Sequence, residues 1–562
     1  MEMMKKVFKA GLMLVLLGSS VFAQSLTDAR KSIDAEQYQK AKSQLKSLIS
    51  MQPTLGESYF FLGQVYLKTD YDDSAKVVFE EGVVKNPAFP LNYIGLGQVD
   101  LENGNETGAK TFFDKAVSLS DKKDNRANLY IGRAYASAKK PNYELAISFY
   151  QKVLTTTNPK GAEVFLAETN LYLGDAYRGQ MKNSEAYSAY RTAFDLNNNL
   201  LRSKVELGVI NKMSKAFQES VDEFNSVLAI DPNYGPAYRE LAETYYLWAR
   251  SDGRTYDAKI KQALDYYKKY LELTDMSLDS RMRYADFLIL AKDYKTLEQE
   301  AQAMAQMDKA NKRILRYLGY SAFENGNYEA SIQAIKDFMS KVEPKRIIGR
   351  DYSYLGRAMI KLGQDEEGFE TVKKAVQIDS NLVSGMSEIA KELYGLKKYD
   401  KAAAAYEIAV KNPQRNLLDY YYLGSSYYFD FGAKKTAGLP ADKELLVKAD
   451  SAFSYLIQRS PTTHAAWQFR GRINRQLDDE NESQGLAVPF YEKYVEIVTV
   501  TKPELAAKNT PGIIEAYTYL GQVAAKKDKD YDKAKTYFAK ILELDPANAV
   551  AMEAMKAIGG TK

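Results

Sequence analysis

The sequence predicts an all-α fold, a solenoid of about fourteen helical hairpins wound into an extended superhelix. Three observations predict it. A large apolar residue followed by Gly or Ala recurs at Leu62-Gly63, Leu96-Gly97, Ile131-Gly132, Leu173-Gly174, Leu207-Gly208 and Leu241-Ala242. It continues at Tyr284-Ala285, Leu318-Gly319, Leu355-Gly356, Ile389-Ala390, Leu423-Gly424 and Leu520-Gly521, and the commonest step is 34 residues. About twelve residues later stands a second small residue with a large one four further on, as in Ala75/Phe79, Ala109/Phe113, Ala186/Tyr190, Ala402/Tyr406 and Ala534/Phe538. Units close on Pro or an Asx residue, as at Asn86-Pro87, Asn158-Pro159, Asp231-Pro232 and Asp545-Pro546.

Each element of the hairpin has a physical reason. Apolar residues three and four apart define two amphipathic helices per unit. Gly or Ala at the crossing lets the helix axes approach, and the aromatic residue of the second helix fills the groove. Asn103-Gly104-Asn105 and Asn325-Gly326-Asn327 supply turns that tolerate positive φ. Proline lacks the N–H a helix interior needs, so it separates one hairpin from the next. No hairpin buries its own apolar face, and stacking creates the core.

The amino terminus stands apart. Lys5, Lys6 and Lys9 precede an apolar run from Leu12 to Leu17, and small residues lead to Ala23 before Gln24. This reads as a cleaved signal peptide over 1–23, too short to anchor the chain in a membrane. With no cysteine anywhere, lipoprotein attachment is excluded. An exported, periplasmic protein without a transmembrane segment in its mature chain is the expectation. The solenoid is assigned to 24–546, with insertions near 251–259, 430–447, 477–486 and 500–511 read as solvent loops. Residues 547–562 are assigned as a capping helix and tail.

These residues resemble the tetratricopeptide repeat (TPR) family, in its exported bacterial form. The resemblance covers nearly all of the mature chain and is strongest over 56–89, 90–123, 201–234 and 514–547. It implies that the first helix of each unit lines a concave groove holding a peptide or partner helix. The eighth unit departs from the pattern, with Tyr284-Ala285, Leu297 and Ala301 in place of the usual residues.

Composition narrows the chemistry. There is no cysteine and one histidine, His464, so thiolate metal sites, thiol nucleophiles and disulfides are excluded. No phosphate-binding loop, dinucleotide fingerprint or His-Glu-x-x-His motif occurs, and no catalytic, cofactor or metal site is predicted. A net charge of +4 over 562 residues argues against a nucleic-acid partner. His464 and the acidic clusters Glu366-Glu367 and Asp478-Asp479-Glu480 read as surface or turn residues.

Helical spacing from the small residue marks groove positions: Phe60, Gln64 and Leu67, then Leu129 and Arg133, Leu171, Asp175 and Arg178, then Arg239, Glu243 and Tyr246. A basic stretch follows, Arg313, Arg316, Tyr320, Arg350, Arg357, Lys361 and Lys391, and is the candidate partner-binding surface for an acidic segment or a terminal carboxylate. Arg472 and Arg475 lie further on. The function expected is a non-enzymatic protein–protein interaction scaffold in the bacterial cell envelope, within an outer-membrane assembly, secretion or surface complex. The alternative is a polysaccharide-export or cell-wall glycan-binding accessory, with tyrosines such as Tyr245-Tyr246 and Tyr420-Tyr421-Tyr422 stacking on sugar rings.

Overall fold

The computed structural model describes residues 25–413 and 415–559, so the leader predicted over 1–23 lies outside the described residues. Among the described residues, fourteen antiparallel helical hairpins follow one another, from Leu26–Asp34 with Tyr38–Met51 to Thr510–Lys526 with Tyr531–Leu544. A single helix, Ala549–Gly559, then packs on the last hairpin and buries Ala551 and Ile558 there. The hairpins fall into two compact units, Met1–Lys309 and Ala310–Lys562.

The second hairpin shows how the repeat is built. Gly56–Lys68 has 13 residues and Asp72–Lys85 has 14. Phe79 is fully buried between Gly63 and Gly95, and a Cβ on either glycine would stand 2.2 or 2.4 Å from its ring. The glycine at this crossing is therefore the space its neighbour's aromatic ring occupies, as it is at Gly97, Gly132, Gly174, Gly208, Gly424, Gly471 and Gly521, whereas Gly319 faces Ile335 and Gly356 faces Gly368 and Val372. Turn chemistry follows a rule the sequence does not advertise. Glu36, Asp70 and Gly104 have φ of 59°, 60° and 77°, one repeat apart, and Met181, Lys215, Lys292 and Lys397 occupy the same left-handed region. Most hairpins thus turn on a residue other than glycine, held left-handed by the helices it joins.

Two insertions are helix for the most part, with the second keeping a loop over 437–443. Residues 251–259 hold one short turn, Gly253–Thr255, and otherwise extend Gly235–Ser251 and Tyr256–Leu273. Residues 430–447 continue Leu417–Thr436 to 20 residues before Glu444–Arg459 begins, because Phe431 and Leu446 anchor both ends in the core. Around 477–486 a loop does form, organised by buried Asp478, whose carboxylate accepts the backbone N–H groups of Asp479, Gln484 and Leu486. Short helical turns fill 500–509 before Thr510–Lys526.

Extensive contacts between like helices of consecutive hairpins are all between first helices. First helices therefore lie on the inner, shorter radius of each stack and form its concave wall.

Candidate functional site

In the N-terminal unit the stack bends far enough for hairpin one to meet hairpin seven, formed by Gly235–Ser251 and Tyr256–Leu273. Glu36, at the left-handed turn of hairpin one, accepts hydrogen bonds from Arg239 Nη1 at 2.6 Å and from Tyr270 Oη at 2.9 Å. Asp34 accepts one from Tyr234 Oη at 2.8 Å. Gln37 donates to the carbonyl of Leu273, and the backbone N–H of Gln39 donates to Asp275. Five polar contacts spanning about 200 residues of sequence thus clasp one superhelical turn shut.

Charged side chains of the first helices project into this turn. Arg202 pairs with Asp175 at 2.5 Å, Arg178 with Glu206, Lys212 with Glu240, and Arg30 with Glu168 at 2.9 Å. Asp175 also accepts a hydrogen bond from Tyr190. Burial pushes the Asp34 carboxyl above the usual carboxylate range in spite of its tyrosine donor. Crowding by the surrounding protein, and next the charges of Arg202 and Arg133, push the Lys68 ammonium down to about 8 although its side chain is exposed. Arg133 lies over the Tyr172 ring, 5.0 Å from its centroid.

The groove positions expected from helical spacing divide into two sets. Asp175 and Arg178 meet in one ion-pair cluster with Arg202 and Glu206, Arg239 joins Glu36 and Glu240, and Arg133 lies over Tyr172. Phe60, Leu129 and Leu171 do not reach the groove, because the neighbouring hairpin covers them and they are buried in the core. Gln64 is also buried and donates to Gln98, one repeat on, at 2.7 Å. Glu243 pairs with Arg283 at 2.6 Å, and that guanidinium rests on Tyr246. Sequence spacing missed Lys68, Arg202, Glu206 and Glu240, which lie at other registers of the same helices. A signal was present, since charged residues on a helix face otherwise lined by apolar ones mark a wetted interior.

In the C-terminal unit, the basic stretch is divided as well. Arg316 and Tyr320 are corrected from partner-binding to internal roles. The Arg316 guanidinium grips Asp351 with two hydrogen bonds of 2.8 Å, and Tyr320 Oη donates to the same carboxylate at 2.7 Å. The Tyr320 ring is 1% exposed, stacked 4.2 Å from Tyr354, and burial pushes its hydroxyl far up. Lys361 pairs with Glu392 at 2.8 Å, and Arg357 lies over Phe323. Arg350 and Lys391 are exposed. Arg313 sits over Tyr317 and opens onto a cleft of about 730 Å³. The cleft is lined by Lys312, Arg313, Arg316, Lys341, Lys345 and Arg346 around Phe338, Val342 and Ile348, with Glu343 the one carboxylate on its wall.

The remaining features are structural. Arg472 pairs with Glu515 and Arg475 with Glu482, each at 2.5 Å. Tyr421 and Tyr422 pack on core rings, Tyr420 stacks on Tyr455 at 3.9 Å, and Tyr245 stacks on Tyr266 at 5.5 Å. His464 lies 6.3 Å from Tyr494, and burial lowers its proton affinity.

Residues 514–548, which make up most of the last hairpin, match the family model described as tetratricopeptide repeat. Hsp70-Hsp90 organizing protein 3 of Arabidopsis thaliana is 24% identical over 180 residues, 32% of this chain and 32% of its own length. The chain thus spans about a third of that curated relative. Among solved structures, the C-terminal part of a TPR repeat-containing protein from Cytophaga hutchinsonii is 26% identical with a TM-score of 0.36, over 49% of this chain and 98% of its own. A tetratricopeptide repeat protein from Parabacteroides merdae is 15% identical with a TM-score of 0.31, over 48% and 98%. Residues 514–548 thus carry a tetratricopeptide repeat, and the same pairing of helices runs through the described residues as a tetratricopeptide-like solenoid of hairpins.

Proposed function

We propose that the protein is an interaction scaffold of the bacterial cell envelope, which holds an acidic segment of a partner in the cleft at the head of its C-terminal unit. The tetratricopeptide fold is one that binds protein partners, and no described helix is long and apolar enough to cross a membrane. The observation that carries the reading is the cleft wall, where five cationic side chains besides the internally bound Arg316, namely Lys312, Arg313, Lys341, Lys345 and Arg346, stand against Glu343 around an apolar floor. Carboxylates of a partner would meet guanidinium and ammonium donors there, while an apolar side chain would cover Phe338 and Ile348. Export through the leader at 1–23 would place this surface in the periplasm, beside assembly, secretion or surface-complex components.

Crosslinking in intact envelopes followed by mass spectrometry tests this directly. The mature chain, starting at Gln24, is expected in the periplasmic fraction with one stoichiometric protein partner. Lys341→Glu, Lys345→Glu and Arg346→Glu together are expected to lower recovery of that partner about tenfold or more, since each reversal replaces attraction by repulsion. Equal recovery by the triple variant would remove the cleft from the reading, and a cytoplasmic chain with an intact leader would remove the envelope.

A further inference from the structure

The clasp that closes the N-terminal turn brings together two separate cores through a single hairpin turn. Ala29, Ala41, Leu45 and Leu48 of hairpin one are buried with residues of hairpins two, three and four, whereas Tyr234, Ala237 and Leu241 of hairpin seven are buried with residues of hairpin six. Ala35 is the one residue of hairpin one packed against that second core. The polar contacts of the clasp all draw on residues 34–39, and they meet Arg239, Tyr234 and Tyr270, the Leu273 carbonyl and Asp275 of hairpin seven. A further ion pair, Arg30 with Glu168 of hairpin five, also crosses the turn, with its guanidinium exposed to water.

A contact of this make-up can part without opening either core, and its polarity is that of interfaces across which parts of a chain move. Neither side is stranded by parting. Arg239 also holds Glu240 at 3.1 Å, so its charge stays answered, while Asp34 and Glu36 lie on a turn that water reaches once it leaves hairpin seven. Partly exposed ion pairs of the Arg239–Glu36 kind add little net stability, since the attraction replaces good hydration. Glu36 is the left-handed residue that turns hairpin one, a position Asp70 shares in hairpin two, so the turn keeps its shape without the clasp. Asp34, Ala35 and Glu36 thus sit on hairpin seven as a preformed acidic ligand sits on a receptor, with two carboxylates on a guanidinium and two tyrosine hydroxyls and a small side chain between them.

We propose that this contact is an autoinhibitory latch, in which the chain's own Asp-Ala-Glu turn occupies a receptor on hairpin seven that takes an acidic Asp-x-Glu turn of a partner protein. While the latch is shut, the concave wall of hairpins one to seven is closed to any segment too long to thread it. Displacement of the turn by the partner opens that wall, so recognition and access are one event, and the partner binds as tightly as its contacts exceed those of the turn it replaces. The site is independent of the cleft in the C-terminal unit.

Paired spin labels on the mature chain test it, because the sequence has no cysteine and labels at Lys31→Cys and Lys268→Cys, both exposed positions, report on the clasp alone. One short label separation is expected in the parent. Glu36→Gln is expected to add a population of longer separations. A peptide of residues 31–40 is expected to bind the Glu36→Gln chain saturably and at least tenfold more tightly than the parent, and to convert it to the long separation. The same peptide carrying Asp34→Asn and Glu36→Gln is expected to bind at least tenfold more weakly. Arg239→Met is expected to open the turn and to lose the peptide, since it removes the receptor's guanidinium. Amide exchange separates opening from unfolding, and unchanged protection of hairpins two to six is expected in both variants. An unaltered short separation in Glu36→Gln and Arg239→Met, failure of the opened Glu36→Gln chain to bind the peptide, equal binding of the neutral peptide, or lost protection in hairpins two to six would each overturn the proposal.

Discussion

Replacing Arg316 by Ala is expected to destabilise the C-terminal unit by about 3–5 kcal/mol, because it strands a buried carboxylate. Asp351 is 0% exposed, and its two oxygens accept from Arg316 Nε and Nη2 at 2.8 Å, from Tyr320 Oη at 2.7 Å and from the backbone N–H of Ile348 at 2.9 Å. Arg316 Nη2 also donates to the carbonyl of Arg346, so one guanidinium ties hairpin nine to the entry of hairpin ten. Its flat face rests on Phe338, 4.4 Å from the ring centroid. After truncation, the tyrosine and one backbone N–H remain as donors to a full charge that water does not reach. Arg316→Lys keeps the charge but loses the fork, and is expected to cost about 1–2 kcal/mol. The double change Arg316→Met with Asp351→Leu removes both charges and is expected to recover most of the loss, as buried pairs exchanged for apolar residues commonly do. Urea midpoints followed by circular dichroism measure all three variants. If Arg316→Ala shifts the midpoint no more than Arg316→Lys, then Asp351 is not held as a charge by that residue.

The same pair shows how far the sequence could be read. The 34-residue step is legible because each repeat solves one packing problem in the same way, and Gly63 facing Phe79 recurs as Gly174 facing Tyr190 and Gly521 facing Phe538. Helical spacing also tells which face of a helix Arg316 occupies. It does not tell what the following hairpin places against that face, and the partner of Arg316 stands 35 residues on, in the next repeat. Phe60 and Leu129 were misplaced for this reason: an inner face is partly groove and partly contact with the next first helix. The closure of the N-terminal turn was out of reach altogether. Glu36 and Arg239 are 203 residues apart, and their meeting depends on small rotations summed over six hairpins, which no local pattern records. Insertions misled in the other direction. Residues around Asp430 carry charge and glycine, yet Phe431 and Leu446 sit in the core, so helix extends to Thr436 and resumes at Glu444 and only 437–443 is loop.

Gly356→Ala is expected to destabilise hairpin ten by about 2–4 kcal/mol, against the gain of about 1 kcal/mol that alanine brings to an open helical site. This glycine lies in Gly349–Lys361 where it crosses Asp365–Ile378. A Cβ here would stand 2.5 Å from the carbonyl oxygen of Gly368, 2.7 Å from Val372 Cγ2 and 2.9 Å from the Val372 backbone nitrogen. The approach is reciprocal, since a Cβ on Gly368 would stand 2.7 Å from the Gly356 oxygen. At Gly63 the obstacle is a ring, which can tilt, but at Gly356 two of the three obstacles are backbone, so relief requires the helices to separate. Separation would open the contacts of Val372 and Ala375, both buried, and would carry to the neighbouring hairpins, because a stacked repeat draws its stability from its interfaces. Gly395→Ala is the matched control, a glycine at the end of Met386–Gly395 with no heavy atom within 4 Å of the added carbon. It is expected to be neutral or slightly stabilising. Amide hydrogen exchange is the measurement to make, since a repeat array need not unfold in one step and a single midpoint would average its parts. Faster exchange confined to residues 349–378 and their immediate neighbours is the expected result for Gly356→Ala. Protection equal to the parent would mean that the two backbones can part without cost, and that the glycine pair does not set the spacing of the hairpin.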